Sequence, residues 1–421
     1  MARVTIIASG TRGDVQPAIA LGIGLRGAGH AVRVLAGSGF RAWIEGHGLE
    51  AAPSRVDMQA VMASPKGRAW VENGHRQLRQ QRLMRELLDE HAAAMIRDAW
   101  EAAAGAHAVV SGFTSDAYAL AIAEKLDIPA VSMPLQPTLL ATRDGRAMTA
   151  APFPDRVSRV NAWFARLILE AFPWRAYGAH VNRFRREIGL AEQTADEHLA
   201  QRRRMPMLHA VSRHVMPLPA DWPDTCRITG YWFLDEHEGW EPPAELAAFL
   251  AAGDAPVCVG FGSMTGGDPA GTWAILLDAI RRSGRRAVVL AGWAGRPHGT
   301  LPDGVLVIDE APHAWLFPRC AAIVHHGGAG TTAAALRAGV PSVVVPHMAD
   351  QPYWGRRVHA LGAGPRPIPR HRLTAQALAA AIGDAAGGDT RRASATRLAA
   401  AIAGEDGPAE AVRVIDGLVG G

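Results

Sequence analysis

His326 closes an apolar run, Ala321-Ala322-Ile323-Val324-His325-His326, and is followed by Gly327, Gly328, Ala329, Gly330, Thr331 and Thr332. An alanine-rich helix pattern continues from there and ends near Gly339-Val340-Pro341. Glycines between a buried strand and a helix let backbone approach a ligand closely. The helix start offers free N–H groups and the positive end of a dipole, which suits a phosphate. A histidine at the strand end adds a ring N–H, and Thr331 and Thr332 add hydroxyls. The alternative is a tight strand-to-helix turn in which the threonines only cap the helix.

One strand later come Asp350 and Gln351, side chains of the kind that bind sugar hydroxyls; Asp350 as a simple helix N-cap is the competing reading. Three further strand ends carry candidate nucleotide contacts. FGSM at 261–264 offers Ser263, AGWAG at 291–295 offers Trp293 for base stacking, and EAPHAWLF at 310–317 offers His313. Near the amino terminus, SGTRGDVQP places Asp14 at the end of the first strand. Asp14 is a candidate general base for an acceptor hydroxyl, provided its environment raises its pKa toward neutrality. Its alternative role is capping the helix expected to start near Pro17.

These residues need a scaffold of alternating strands and helices, and the chain supplies two. Arg3 to Ala8, an Ala/Leu/Gly helix to Ala28 and HAVRVLAG form a βαβ pattern, continued by AVVSG at 108–112, a helix from Ser115 to about Leu126, and PAVSM at 129–133. A second series starts near residue 256 with PVCVGFGS and runs through RRAVVLAG, GVLVIDEA, AAIVHHGG and PSVVVPH. Segments 57–104 and 140–205 read as helical or loop-like and hold Trp70, Trp100, Phe153, Trp163, Phe164, Phe172, Trp174 and Phe184, as core or as the wall of an apolar pocket. The expected fold is α/β, with two doubly wound Rossmann-like domains. Their boundaries are 1–234, a linker at 235–250, and 251–404.

At 421 residues the chain exceeds one compact core, and 48% hydrophobic with 20% charged residues fits a soluble globular protein. The formal charge is only +4, and the one dense basic run, Arg202-Arg203-Arg204, reads as a solvated loop, so nucleic acid is not an expected partner. Cys226, Cys258 and Cys320 have neither metal-ligand spacing nor an even count. No apolar run is long enough to span a bilayer, and Val4 to Ala8 is too short for a signal peptide, so the expected location is cytoplasmic, with membrane contact only at the surface. GTRG is not a GxGxxG fingerprint, and no Walker lysine or GxSxG elbow is present, which disfavours hydride transfer and NTP hydrolysis.

In GTRGDVQPAIALGIGLRGAGHAVRV, VSMPLQPT at 131–138, FGSM, PHAWLFPRCAAIVHHGGAGTTAAALRAGVP and the Asp350-Gln351 pair, the chain resembles inverting nucleotide-sugar glycosyltransferases of GT-B fold. It looks closest to their bacterial natural-product and sterol glucosyltransferase branch. The resemblance implies an N-terminal acceptor-binding domain, a C-terminal donor domain and a last helix, about 405–421, that returns to the first. It implies that His326, with Gly328, Gly330 and Thr331, holds the diphosphate of a UDP- or dTDP-sugar, that Asp350 and Gln351 hold the sugar, and that Asp14 is the base. It implies no metal and no cofactor beyond the donor itself. Phe113, Met133 and Gln136 are expected beside a lipophilic small-molecule acceptor, a polyketide, sterol-like or aromatic compound, in a monomer or homodimer. Two departures stand out: Ala334 where the plant signature has a ribose-binding glutamate, and Glu310 where it has a base-stacking tryptophan. The rival readings are an epimerase of the same fold acting on the nucleotide sugar alone, and a non-catalytic homologue assisting a partner transferase.

Overall fold

The computed structural model describes residues 1–72, 77–148, 156–235, 239–261, 269–292 and 301–420. Two compact units emerge. One comprises Met1–Gly67, Leu78–Leu234 and Glu405–Gly421, the other Arg68–Gln77 and Asp235–Gly404.

The first unit is built on seven strands: β1 (Arg3–Ile7), β2 (Ala31–Leu35), β3 (Glu50–Ala52), β4 (Ala108–Ser111), β5 (Ala130–Ser132), β6 (Met207–His209) and β7 (Cys226–Ile228). They lie in the order β3-β2-β1-β4-β5-β6-β7, and every pair is parallel. The order reverses between β1 and β4, where Ile7 lies opposite both Leu35 and Ser111. Side chains buried on both faces explain why β1 and β4 read as nearly continuous apolar runs, whereas Arg33 interrupts β2. The helix Arg12–Gly27 covers β1 with Val15, Ala18, Ile19, Leu21 and Leu25. It starts at Arg12 with Thr11 as N-cap, so Pro17 sits inside the helix rather than at its start.

The second unit has five parallel strands, β8 (Val257–Gly260), β9 (Ala287–Leu290), β10 (Val305–Ile308), β11 (Ala322–His325) and β12 (Ser342–Val344), in the order β10-β9-β8-β11-β12. Here the reversal falls between β8 and β11. His325, the last residue of β11, lies opposite Gly260 on one side and Val344 on the other.

Several expectations require correction. Residues 244–251, within the stretch read as linker, form a helix whose Leu246 is wholly buried against Cys258, Val288 and Leu316. Arg202 is only 2% exposed and belongs to the end of the helix Ala195–Arg204, not to a solvated loop. The three-residue strands β3, β6 and β7 are too short to carry a periodic signal.

The last helix, Gly407–Val419, packs on Arg12–Gly27 through Ala411, Val412 and Ile415, all in the core of the first unit. Asp416 bonds His30 on the turn before β2. Ile415→Ala is therefore expected to destabilise the first unit by about 2–5 kcal/mol, read as a shift in its denaturant midpoint, although the residue is remote in sequence from every strand it supports.

Candidate functional site

In the first unit the turn after β1 folds a carboxylate back on itself. Thr11 caps the helix and Asp14, at the third helical position, completes a capping box. The Thr11 amide donates to Asp14 Oδ2 at 2.8 Å, and its hydroxyl lies 3.4 Å from the same oxygen. Gly10 is required beneath it, because a Cβ there would lie 2.1 Å from Oδ2. Asp14 is half-buried. Desolvation raises its pKa above the usual carboxylate value, against the opposing pull of the Thr11 bonds. Capping and elevated basicity thus coexist, on one oxygen and on the group as a whole.

The neighbouring strand ends are tied by a buried network that sequence reasoning missed. Ser111, at the end of β4, donates to Asp116 Oδ1 at 2.8 Å, and Ser132, at the end of β5, donates to Oδ2 at 2.9 Å. Arg202 Nε lies 3.7 Å from Asp116 Oδ2, and its guanidinium donates to Thr138 Oγ1 at 2.8 Å. Burial pushes the Asp116 carboxyl up to about 6, with Arg202 pulling the other way. No sequence signal marked this pair, because 86 residues separate its partners. Of the expected acceptor residues, Phe113 is half-buried with the Arg202 guanidinium 5.9 Å from its ring. Gln136 is half-buried as well. Met133 is 1% exposed and packed in the core, so it supports the rim from below rather than standing open on it.

In the second unit, β11 runs into the helix Ala329–Arg337 through Gly327 and Gly328. Gly328 is the N-cap, so no side chain caps this helix, and Thr331 lies at its third position. The expectation that the threonines cap it is therefore corrected: the helix starts two residues earlier. The first intrahelical bond is Thr332 N–H to Gly328 O at 2.9 Å, after the amides of Ala329, Gly330 and Thr331. The His326 ring lies over this start, its Nε2 2.5 Å from where a Gly328 Cβ would be. Burial lowers the His326 pKa to about 4. The imidazole is neutral at pH 7, with one ring nitrogen carrying a proton and no positive charge.

His325 was not singled out from sequence, yet it shapes the turn. It is 1% exposed, and its Nδ1 accepts the Gly327 N–H at 3.1 Å. That bond leaves the ring proton on Nε2. Burial and the nearby His326 and His313 hold its pKa down to about 3. Gly327 has φ +88°, and a Cβ there would lie 2.6 Å from Val344 Cγ1. His347 donates from Nδ1 to Val345 O at 2.9 Å, and burial takes its pKa to about 4. His313 stacks on Phe317 at 4.3 Å.

Asp350 occupies the N-cap of Gln351–Ala360, but its side chain does not cap; Oδ2 accepts the Trp354 indole N–H at 2.6 Å. Gln351 Oε1 accepts the amides of His347 and Met348 at 2.8 and 3.0 Å. Gly330 lies in the first turn of the Ala329–Arg337 helix. Phe153, Ser263 and Trp293 lie outside the described residues. Among the described residues, no group of three or more His, Cys, Asp or Glu side chains is placed to hold a metal ion.

Two parallel sheets, each with its strand order reversing beside the chain's histidine-glycine and carboxylate turns, define a GT-B fold. Solved structures share it: the glycosyltransferase of kitacinnamycin at TM-score 0.74 and 18% identity, covering 99% of this chain and 98% of that one, and CalG4, the calicheamicin glycosyltransferase, at 0.71 and 20%, covering 100% and 98%. The Glycosyltransferase family 28 N-terminal domain matches residues 4–137, and the erythromycin biosynthesis protein CIII-like C-terminal domain matches 276–418. A sterol 3-beta-glucosyltransferase of Penicillium rubens is 35% identical over 98% of this chain and 30% of its own length. One of Arabidopsis thaliana is 32% identical over 90% of this chain and 62% of its own. The chain belongs to the UDP-glycosyltransferase superfamily. It spans less than two thirds of the length of these curated relatives.

Two outcomes test the second unit's turn. Gly327→Ala is expected to cost about 2 kcal/mol or more, since positive φ alone costs about 1–2 kcal/mol and the Cβ also meets Val344; urea unfolding measures it. His325, His326 and His347 are neutral in the fold and take up protons when unfolded below about pH 6.5. Their contribution is full above that pH and falls as pH drops toward about 4. Hydrogen exchange of second-unit amides is therefore expected to slow as pH-corrected conditions move from about pH 5 to about pH 7.

Proposed function

We propose that this chain is an inverting hexosyltransferase that moves a sugar from a UDP- or dTDP-linked donor to a hydroxyl of a lipophilic small molecule. The observation that carries the reading is the uncapped start of the helix Ala329–Arg337, with three amides before its first internal bond and His326 above them. A pyrophosphate there accepts from the Ala329, Gly330 and Thr331 amides, the Thr331 hydroxyl and the His326 ring, in the positive field of the helix. Asp350 and the amide of Gln351, one strand on, hold the sugar. Ser263, His313 and, by stacking, Trp293 complete the nucleotide end.

In the reaction, Asp14 accepts the proton of the acceptor hydroxyl. The hydroxyl oxygen forms a bond to the anomeric carbon as the bond from that carbon to the diphosphate oxygen breaks, so configuration inverts in one displacement. Negative charge grows on the departing diphosphate, where amides and a neutral imidazole N–H stabilise it without a metal ion. The raised pKa of Asp14 strengthens it as a base. Phe113 and Gln136 flank the acceptor, with Met133 beneath. Relatives named as sterol 3-beta-glucosyltransferases favour a sterol-like acceptor.

The test combines donor binding with turnover. UDP or dTDP is expected to raise the melting temperature, and a donor with a sterol or polyketide panel is expected to yield a glycoside; neither occurring overturns the reading. Asp14→Asn keeps an acceptor for the Thr11 amide but cannot take the proton. It is expected to lower kcat by about 10²–10⁴ with donor affinity unchanged, and retained turnover removes Asp14 as base. Gly328→Ala displaces the His326 ring and is expected to weaken nucleotide binding about tenfold or more, measured by calorimetry.

A further inference from the structure

Large apolar side chains are seldom left exposed together, so their distribution on the surface is informative. Among the described residues, seven large hydrophobics are exposed, and four of them fall within eleven residues: Val157 at 82%, Val160 at 47%, Trp163 at 63% and Leu167 at 42%. Val160, Trp163 and Leu167, three and four residues apart, share one face of the helical segment, and Val157 lies just before its cap. The helix Arg159–Phe164 has Ser158 as its cap, with the Val160 amide donating to Ser158 Oγ at 3.1 Å, and it continues as a wide turn over Ala165–Glu170. The opposite face is anchored: Asn161 and Ala165 are wholly buried, and Glu170, 1% exposed, pairs with Arg203. The outward orientation of Val160, Trp163 and Leu167 is thus set by what the inner face holds.

Charge decides what fits this face. Arg156, Arg159 and Arg166 are exposed along it, and no acidic residue occurs between 156 and 169. No carboxylate partner is recorded for these three arginines among the described residues. A stripe of valine, tryptophan and leucine flanked by Arg156, Arg159 and Arg166 matches the boundary between acyl chains and anionic headgroups. There the tryptophan sits at headgroup depth and each cation meets a phosphate. A partner protein would have to bring carboxylates to three separate arginines, whereas an anionic bilayer offers phosphates everywhere.

We propose that residues 156–167 form a membrane-surface docking face that seats the first unit on bilayers containing anionic phospholipid. The inference rests on this surface alone and not on the reading of the donor or acceptor site. The face lies on the inner acyl boundary without crossing the bilayer. Among the described residues no helix is long and apolar enough to do so.

Co-sedimentation of the full chain with vesicles tests it, using phosphatidylcholine alone and phosphatidylcholine mixed with phosphatidylglycerol. Binding is expected only to the mixed vesicles, and is expected to weaken as salt rises. Combining Arg156→Gln, Arg159→Gln and Arg166→Gln is expected to lower partitioning on the order of a hundredfold, about fivefold per arginine. Combining Trp163→Ala and Leu167→Ala is expected to lower it about tenfold or more. Because these side chains are exposed, the melting temperature checks that both variants fold. Quenching of Trp163 fluorescence by brominated phosphatidylcholine in mixed vesicles, lost in Trp163→Phe, reports its depth. Absence of wild-type binding at low salt, or variants that bind as well as wild type, overturns the proposal. So does a wild-type dimer that fails to bind vesicles and dissociates on the Trp163/Leu167 change, since the face then belongs to a second copy.

Discussion

Three backbone amides at the start of the helix Ala329–Arg337 constrain everything around them. They stay available only because Gly328, which has no side-chain oxygen, holds the capping position. Gly328 in turn is reached only through Gly327, whose left-handed backbone leaves no room for a Cβ beside Val344. The wall behind the turn is equally determined. Its amide is held by His325, and the following strand turn is held by Gln351 through two amides of its own. His325 and Gln351 are thus occupied with backbone, which braces the turn on both sides of the uncapped helix start.

The same economy appears in the first unit, where one carboxylate both completes a capping box and carries a raised pKa. The Asp116–Arg202 pair ties the ends of β4 and β5 to a helix far along the chain. A buried pair of this kind adds little net stability against an apolar substitute, and its value lies in fixing geometry, here the strand ends that carry Phe113 and Gln136. The two charges are mutually dependent. Loss of either leaves the other uncompensated in a dry interior.

What could be read from the residues followed from periodicity and punctuation. The long apolar strands, the helix Asp116–Leu126 and the turn after β11 were legible because parallel strands buried on both faces form unbroken apolar runs ended by glycine. The strands β3, β6 and β7 were not, being three residues each. Helix starts were placed late at both Pro17 and Thr331, since the eye follows the apolar pattern and the first turn of each helix lies before it. The basic run at 202–204 misled because charge predicts exposure, and Arg202 is among the minority that find a buried partner. His325 carried no signal of its own beyond its neighbour.

The chain leaves the first unit at Leu234 and re-enters it at Glu405, ending there with the helix Gly407–Val419. Neither half of the polypeptide is therefore a self-sufficient piece. A hybrid made by joining the front of this chain to the back of a homologue at one junction would inherit a closing helix evolved for another partner's groove, with Val412, Ile415 and Asp416 replaced where Gly24 and His30 expect them. Recombination that respects the architecture needs two seams, so that the terminal segment travels with the amino-terminal part.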